Sequence, residues 1–116
     1  MSEGSNAANM SLAPGVIDTI IALAATEVKG VAAVEVPAQG GIRGLLSPKP
    51  TARAIAVEMT GEGKAQVELH IKAVYGYSLP DVAAEVRAVV ADALMVQAGV
   101  GTDRVDIFID SIAFAA

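Results

Sequence analysis

A chain of 116 residues is long enough for one domain, burying roughly two thirds of the surface of its unfolded form. Its net charge of −5 argues against a general nucleic-acid binder, which needs a basic surface, and the lack of cysteine excludes a disulfide framework, a thiolate nucleophile and a cysteine-based zinc site. With 53% hydrophobic but only 3% aromatic residues, the core is to be filled by Ala and Val, in closely packed layers.

Residues 1–10, MSEGSNAANM, are polar, acidic and aperiodic. They read as a disordered tail, neither a signal nor a transit peptide, and leave 11–116 as a single domain. No apolar run reaches the ~18 residues needed to span a bilayer. Pro14 opens a helix expected to run to about Lys29, with Gly30 as its C-cap. Its apolar arc holds Val16, Ile17, Ile20, Ile21, Leu23, Ala24 and Val28. Glu27 falls within that arc, either reaching water at the helix end or half-buried against a base. Val31 to Val36 is a short strand stopped by Pro37. From Pro37 to Arg53 there are too many Gly and Pro residues for regular structure, and the only charges are Arg43, Lys49 and Arg53. This basic loop in an acidic chain is either merely solvated or docks on an acidic partner segment or an anionic membrane. Gly41-Ile42-Arg43-Gly44 matches the GxxG of KH domains, but strand-like sequence flanks it where a KH domain has helices. It supports only an alternative reading, an RNA-binding module using the loop from Gly41 to Arg53.

Ala54 to Met59 is a second strand, and residues 60–64 form a hairpin connection whose glycines permit positive φ. In the strand from Ala65, the residues Val67, Leu69, Ile71, Ala73 and Tyr75 share a dry face; Gln66, Glu68, His70 and Lys72 share a wet one. Ser78-Leu79-Pro80-Asp81 reads as a helix start, with Ser78 as cap, Pro80 in the first turn and Asp81 returning a bond from N3. The helix buries Leu79, Val82, Ala83, Val86, Val89, Val90 and Ala93, and Gly99 closes it. In the last strand, Asp103 to Phe114, the residues Val105, Ile107 and Ile109 face in while Asp106, Phe108 and Asp110 face out. Strict alternation puts Ile112 and Phe114 on the polar side, so either a bulge near Ser111 shifts the register or a partner covers that end. Phe108, Ile112 and Phe114 are therefore candidate partner-binding residues, together with Arg43, Lys49 and Arg53. His70 is the only histidine, and no Ser, Cys or carboxylate constellation converges on it by spacing, so it reads as a surface histidine. Asp106 and Asp110 stand roughly 13 Å apart on a strand and read as solvated charges.

Three segments, PGVIDTIIALAATEVKGVAAV, VYGYSLPDVAAEVRAVVADAL and RVDIFIDSIAF, together resemble the alkaline shock protein family of bacterial envelope-stress proteins. The likeness covers nearly everything after residue 10, and its order and spacing make it specific. Glu27, Gly30, Tyr75, Gly76, Pro80 and Val86 land on the positions that mark the family. Ala13, a poor N-cap, replaces the usual Ser, and Gly15 replaces an acidic residue, which leaves the first helical turn without its usual support.

The residues give an α+β fold, a two-layer sandwich in the order α-β-β-β-α-β with both helices on one face of the sheet. Glu27, Gly30, Gly76, Ser78, Pro80 and Asp81 are assigned structural roles. The resemblance implies a non-enzymatic scaffold of the cell-envelope stress response, a homo-oligomer in the cytoplasm gathered at the inner face of the membrane by a membrane-anchored partner. It implies no catalytic residue, and no cofactor, metal, nucleic acid or membrane span of its own is expected.

Overall fold

In the computed structural model, the structure describes residues 10–35 and 54–114. The expected tail, Met10 excepted, and the basic loop with Arg43, Lys49 and Arg53 lie outside the described residues. The elements are α1 (Pro14–Thr26), β1 (Val31–Val34), β2 (Ile55–Met59), β3 (Ala65–Val74), α2 (Leu79–Ala93) with a π-helical extension (Leu94–Ala98), and β4 (Thr102–Ala113). This is the expected α-β-β-β-α-β order.

β3 is the centre of a mixed four-stranded sheet. Along one edge it pairs with β4 in parallel. Parallel neighbours need a crossover, which α2 supplies. Along its other edge two short antiparallel strands share its length: β2 lies opposite Ala65–Leu69 and β1 opposite Ile71–Ala73. They meet at His70, whose backbone N–H donates to the Ala54 carbonyl at 2.8 Å and whose carbonyl accepts from the Glu35 N–H at 3.2 Å.

The alternation in β3 sets the core. Ala65, Val67, Leu69, Ile71 and Ala73 are buried on one face, and both helices cover that face. α2 contributes Val82, Val86 and Val90, one turn apart, and α1 contributes Ile21, Ala25 and Val28. Each Val, Leu or Ile side chain so buried is worth about 1.5–3 kcal/mol relative to exposure. The Arg87 guanidinium ties α2 to β4 by donating from Nε to the Val105 carbonyl at 3.2 Å.

The helix boundaries differ from expectation at α1. It ends at Thr26, three residues short of Lys29, because Glu27 and Val28 bond back only three residues, to the Ala24 and Ala25 carbonyls. Gly30 is then not its C-cap but the pivot of the turn into β1, with φ +95°. A Cβ there would come within 2.8 Å of Val82 Cγ2, so only glycine lets this turn lie against α2. Glu27 is exposed, which settles its two readings in favour of the solvated one. Ala13 makes no side-chain cap and α1 has no acidic residue in its first turn, as the departures from the family pattern imply.

At the start of α2, Ser78 Oγ accepts from the Asp81 N–H at 3.5 Å, and the return bond from the Asp81 carboxylate is not formed. Pro80 sits in the first turn as expected. Tyr75, expected on the dry face, lies beyond the end of β3 and is exposed, because the chain turns at Gly76 (φ +102°). The π-helical turn closes through Val100 N–H to the Leu94 carbonyl at 3.1 Å, and Gly99 (φ 70°) ends it as expected.

Of the two alternatives for the end of β4, the bulge is the one adopted. Ile71 pairs with Ile109 but Lys72 pairs with Ser111, so Asp110 is an extra residue. Ile112 thereby comes opposite Ala73, on the parity of the core face. The strict alternation that placed Ile112 beside Phe108 is interrupted.

Candidate functional site

The outer face of the sheet carries no helix among the described residues, and its most organised feature is built around His70. Alternation points this side chain away from the core, and the β3–β4 register sets it opposite Phe108. The two rings stack with centroids 4.8 Å apart and planes at 16°. The bulge delivers Asp110 to the same spot. Its Oδ2 lies 2.6 Å from His70 Nδ1, while Glu68 Oε2 lies 3.1 Å from Nε2. Burial works against the charged ring, but the hydrogen bonds to Asp110 and then Glu68 outweigh it and hold the imidazole above its ordinary value of 6.5. A protonated ring donates to both carboxylates at once; a neutral ring has one N–H to give.

This arrangement is a clamp. The ring stands between the two carboxylates, so they face opposite nitrogens and do not converge on one point. Among the described residues no group of three His, Cys, Asp or Glu is placed to hold a metal ion. The neighbouring charges are matched: Lys72 pairs with Glu35 at 3.2 Å and Arg104 with Asp106 at 3.0 Å, while the Gln66 amide donates to Asp103 at 2.9 Å. His70 was expected to be a surface histidine beside Glu68 with no constellation converging on it, and Asp110 to be solvated; the structure brings Asp110 to the ring. Glu68 was legible, being two residues away on the same face. Asp110 was not, because 40 residues of sequence separate it from His70 and the parallel register fixes their meeting.

The residues singled out for partner binding do not form one strip. Phe108 is 43% exposed on the outer face, half-buried Ile112 turns toward the other side, and Phe114 follows the end of β4. Phe114 packs on Tyr75 with ring centroids 5.0 Å apart.

A second surface lies on the helical layer, where an open groove of about 800 Å³ runs between α1 and the end of α2. Leu23, expected in the buried arc, is 61% exposed at this groove, and Val96 from the π-helical turn is 73% exposed. Val96 lies within that π-helical turn, which buries Leu94 and Ala98 instead. Nothing in the helical periodicity marks a π-helical turn, so the sequence reading missed it.

No curated protein matches the chain. The fold is similar to that of a substituted form of MamM-CTD, at 14% identity over 90% of this chain and 100% of that one, with a TM-score of 0.50. A second, more heavily substituted form of MamM CTD aligns at 16% identity over 88% of this chain and 95% of that one, with a TM-score of 0.49. At such identities the likeness concerns the fold alone. The sequence itself is more specific: the model of the alkaline shock protein 23 family, of cell envelope-related function, matches residues 2–114, and the chain belongs to that family.

Proposed function

We propose that the protein is a non-enzymatic scaffold of the envelope stress response that self-associates and is gathered at the membrane by an anchored partner. The family's cell envelope-related function supports the setting. Among the described residues no helix is long and apolar enough to cross a membrane, and the reading gives the anchoring to the partner.

The observation that carries self-association is the exposed edge of β4. Among the described residues this strand pairs only with β3, so its other edge presents backbone N–H and C=O groups along Thr102–Ile109 before the bulge, the Val105 carbonyl excepted because it accepts from Arg87. Such an edge is a template for pairing with another chain, and Phe108 beside it offers an aromatic anchor. The outer face of β4 and its edge thus favour contact between chains over chemistry, while the one histidine has both ring nitrogens engaged. Sedimentation across a concentration series tests the reading. The wild type is expected to sediment as an oligomer, and Phe108→Ser to lower the mass while the circular-dichroism spectrum stays folded. A wild type that remains monomeric at high concentration overturns it.

A further inference from the structure

We propose that the groove between α1 and the π-helical end of α2 docks a cationic amphipathic helix; on the scaffold reading above, this is the membrane-proximal segment of the anchored partner. The floor of the groove is apolar, because α1 is apolar on more of its circumference than the sheet covers. Ile21, Ala25 and Val28 fill the core, while Val16, Ile20 and Leu23 form a second stripe at helical spacing along the groove. Val96 completes the floor from the opposite wall. From Val16 to Glu27 the wall runs for about 16 Å at 1.5 Å per residue, three turns of a partner helix.

The rim of the groove is acidic. Among the described residues its ionisable lining is Glu27 and Asp92, and no basic residue lines it. Both carboxylates are exposed. The chain as a whole carries −5, so the local field is reinforced rather than offset. A second copy of this chain presenting the same helical face would bring like charges together. An apolar stripe flanked by Lys and Arg satisfies both floor and rim. Segments next to a membrane on its cytoplasmic side carry such an excess of Lys and Arg.

The test uses the full chain and a fluorescein-labelled peptide of about 18 residues, Leu and Lys at helical spacing, about five turns long. Fluorescence anisotropy should report binding that Glu27→Lys with Asp92→Lys weakens about tenfold, and that Leu23→Gln or Val96→Gln weakens by a smaller factor. The same charge change away from the groove, Glu58→Lys with Glu62→Lys, should leave it within about twofold. The proposal is overturned if the remote pair weakens binding as much as the groove pair, if the groove variants bind like wild type, or if a Leu/Glu peptide binds equally well. It is also overturned if the groove variants lower the oligomer mass, for then a second copy occupies the groove. Membrane fractionation of cells separates this idea from the reading it rests on. A wild type absent from membrane fractions, with the peptide result as expected, sinks the anchored scaffold and leaves the groove. A wild type present there, with no groove-dependent peptide binding, does the reverse.

Discussion

Asp110→Asn isolates what the clamp on His70 contributes to stability. In the wild type the imidazolium donates to Asp110 at 2.6 Å and to Glu68 at 3.1 Å, and two cations of the same strands are already paired, Lys72 with Glu35 and Arg104 with Asp106. Asp110 contributes more than Glu68 because its side chain is only 25% exposed, against 52% for Glu68. A hydrogen bond to a charged group contributes about 1.5–3 kcal/mol, and partial exposure screens it, which leaves about 1 kcal/mol for Asp110 and a few tenths for Glu68. The folded ring is held above its ordinary 6.5, against burial, by these two carboxylates. The stabilisation is therefore fully present below 6.5 and is lost as pH rises through the folded-state value. Urea denaturation from mildly acid to alkaline pH should show wild-type stability falling by about 1 kcal/mol across that window, with Asp110→Asn removing most of the slope. The gap between the two proteins should be widest at acid pH. His70 is the only histidine, so His70→Gln supplies the baseline for other groups titrating nearby, and the ring can be followed directly by NMR. Equal slopes for wild type and Asp110→Asn, or a ring titrating below its ordinary value, would refute the reasoning.

Two further predictions concern the frame that holds these surfaces. Leu69 is fully buried whereas Glu68, its neighbour, points out, so Leu69→Asp should abolish the cooperative thermal transition while Glu68→Ala shifts it little. Burying an unpaired charge costs several kcal/mol against the ~5–15 kcal/mol that holds a typical domain together. Gly30→Ala meets both a left-handed φ of +95° and a Cβ contact at 2.8 Å, so it should cost about 2–3 kcal/mol. Gly63→Ala, at φ +81° in open space, should cost about 1 kcal/mol, and equal melting shifts for the two would remove the close approach of Gly30 to α2 as a cause.

The parts of the fold that were legible are those set by residues near in sequence. The period-two pattern of β3 named Val67, Leu69 and Ile71 as core, and the spacing of Val82, Val86 and Val90 named the face of α2. The parts that were not legible depend on pairing or on small energetic margins. Whether α1 stops at Thr26 or Lys29 is a matter of one turn with no capping side chain to fix it. Tyr75 continues the alternation of β3 in sequence, but the turn at Gly76 takes it out of the sheet. The bulge at Asp110 was foreseen as one of two solutions; choosing between them required the β3–β4 register. The same register brings Asp110 to His70, so the candidate site became visible only when the strands were paired.

His70 occupies a position that no single strand defines. Its backbone N–H and carbonyl bond to Ala54 and Glu35, the two residues at which the chain leaves β1 and returns to β2. Its side chain reaches across the opposite edge to Asp110, at the residue where β4 departs from regular pairing. One residue thus fixes both ends of the connection 36–53 and the bulge on the far strand. Closing a loop costs more entropy as it lengthens, though only logarithmically, so two well-placed backbone bonds and the short strands beside them are enough to hold its ends. The side-chain clamp adds a contribution that depends on the proton, and it acts on the bulge next to Phe108 and the open edge. His70 and its clamp thus lie on the same side of the sheet as Phe108, beside the edge on which self-association is proposed, while the helical groove lies on the other layer, across the buried face of β3.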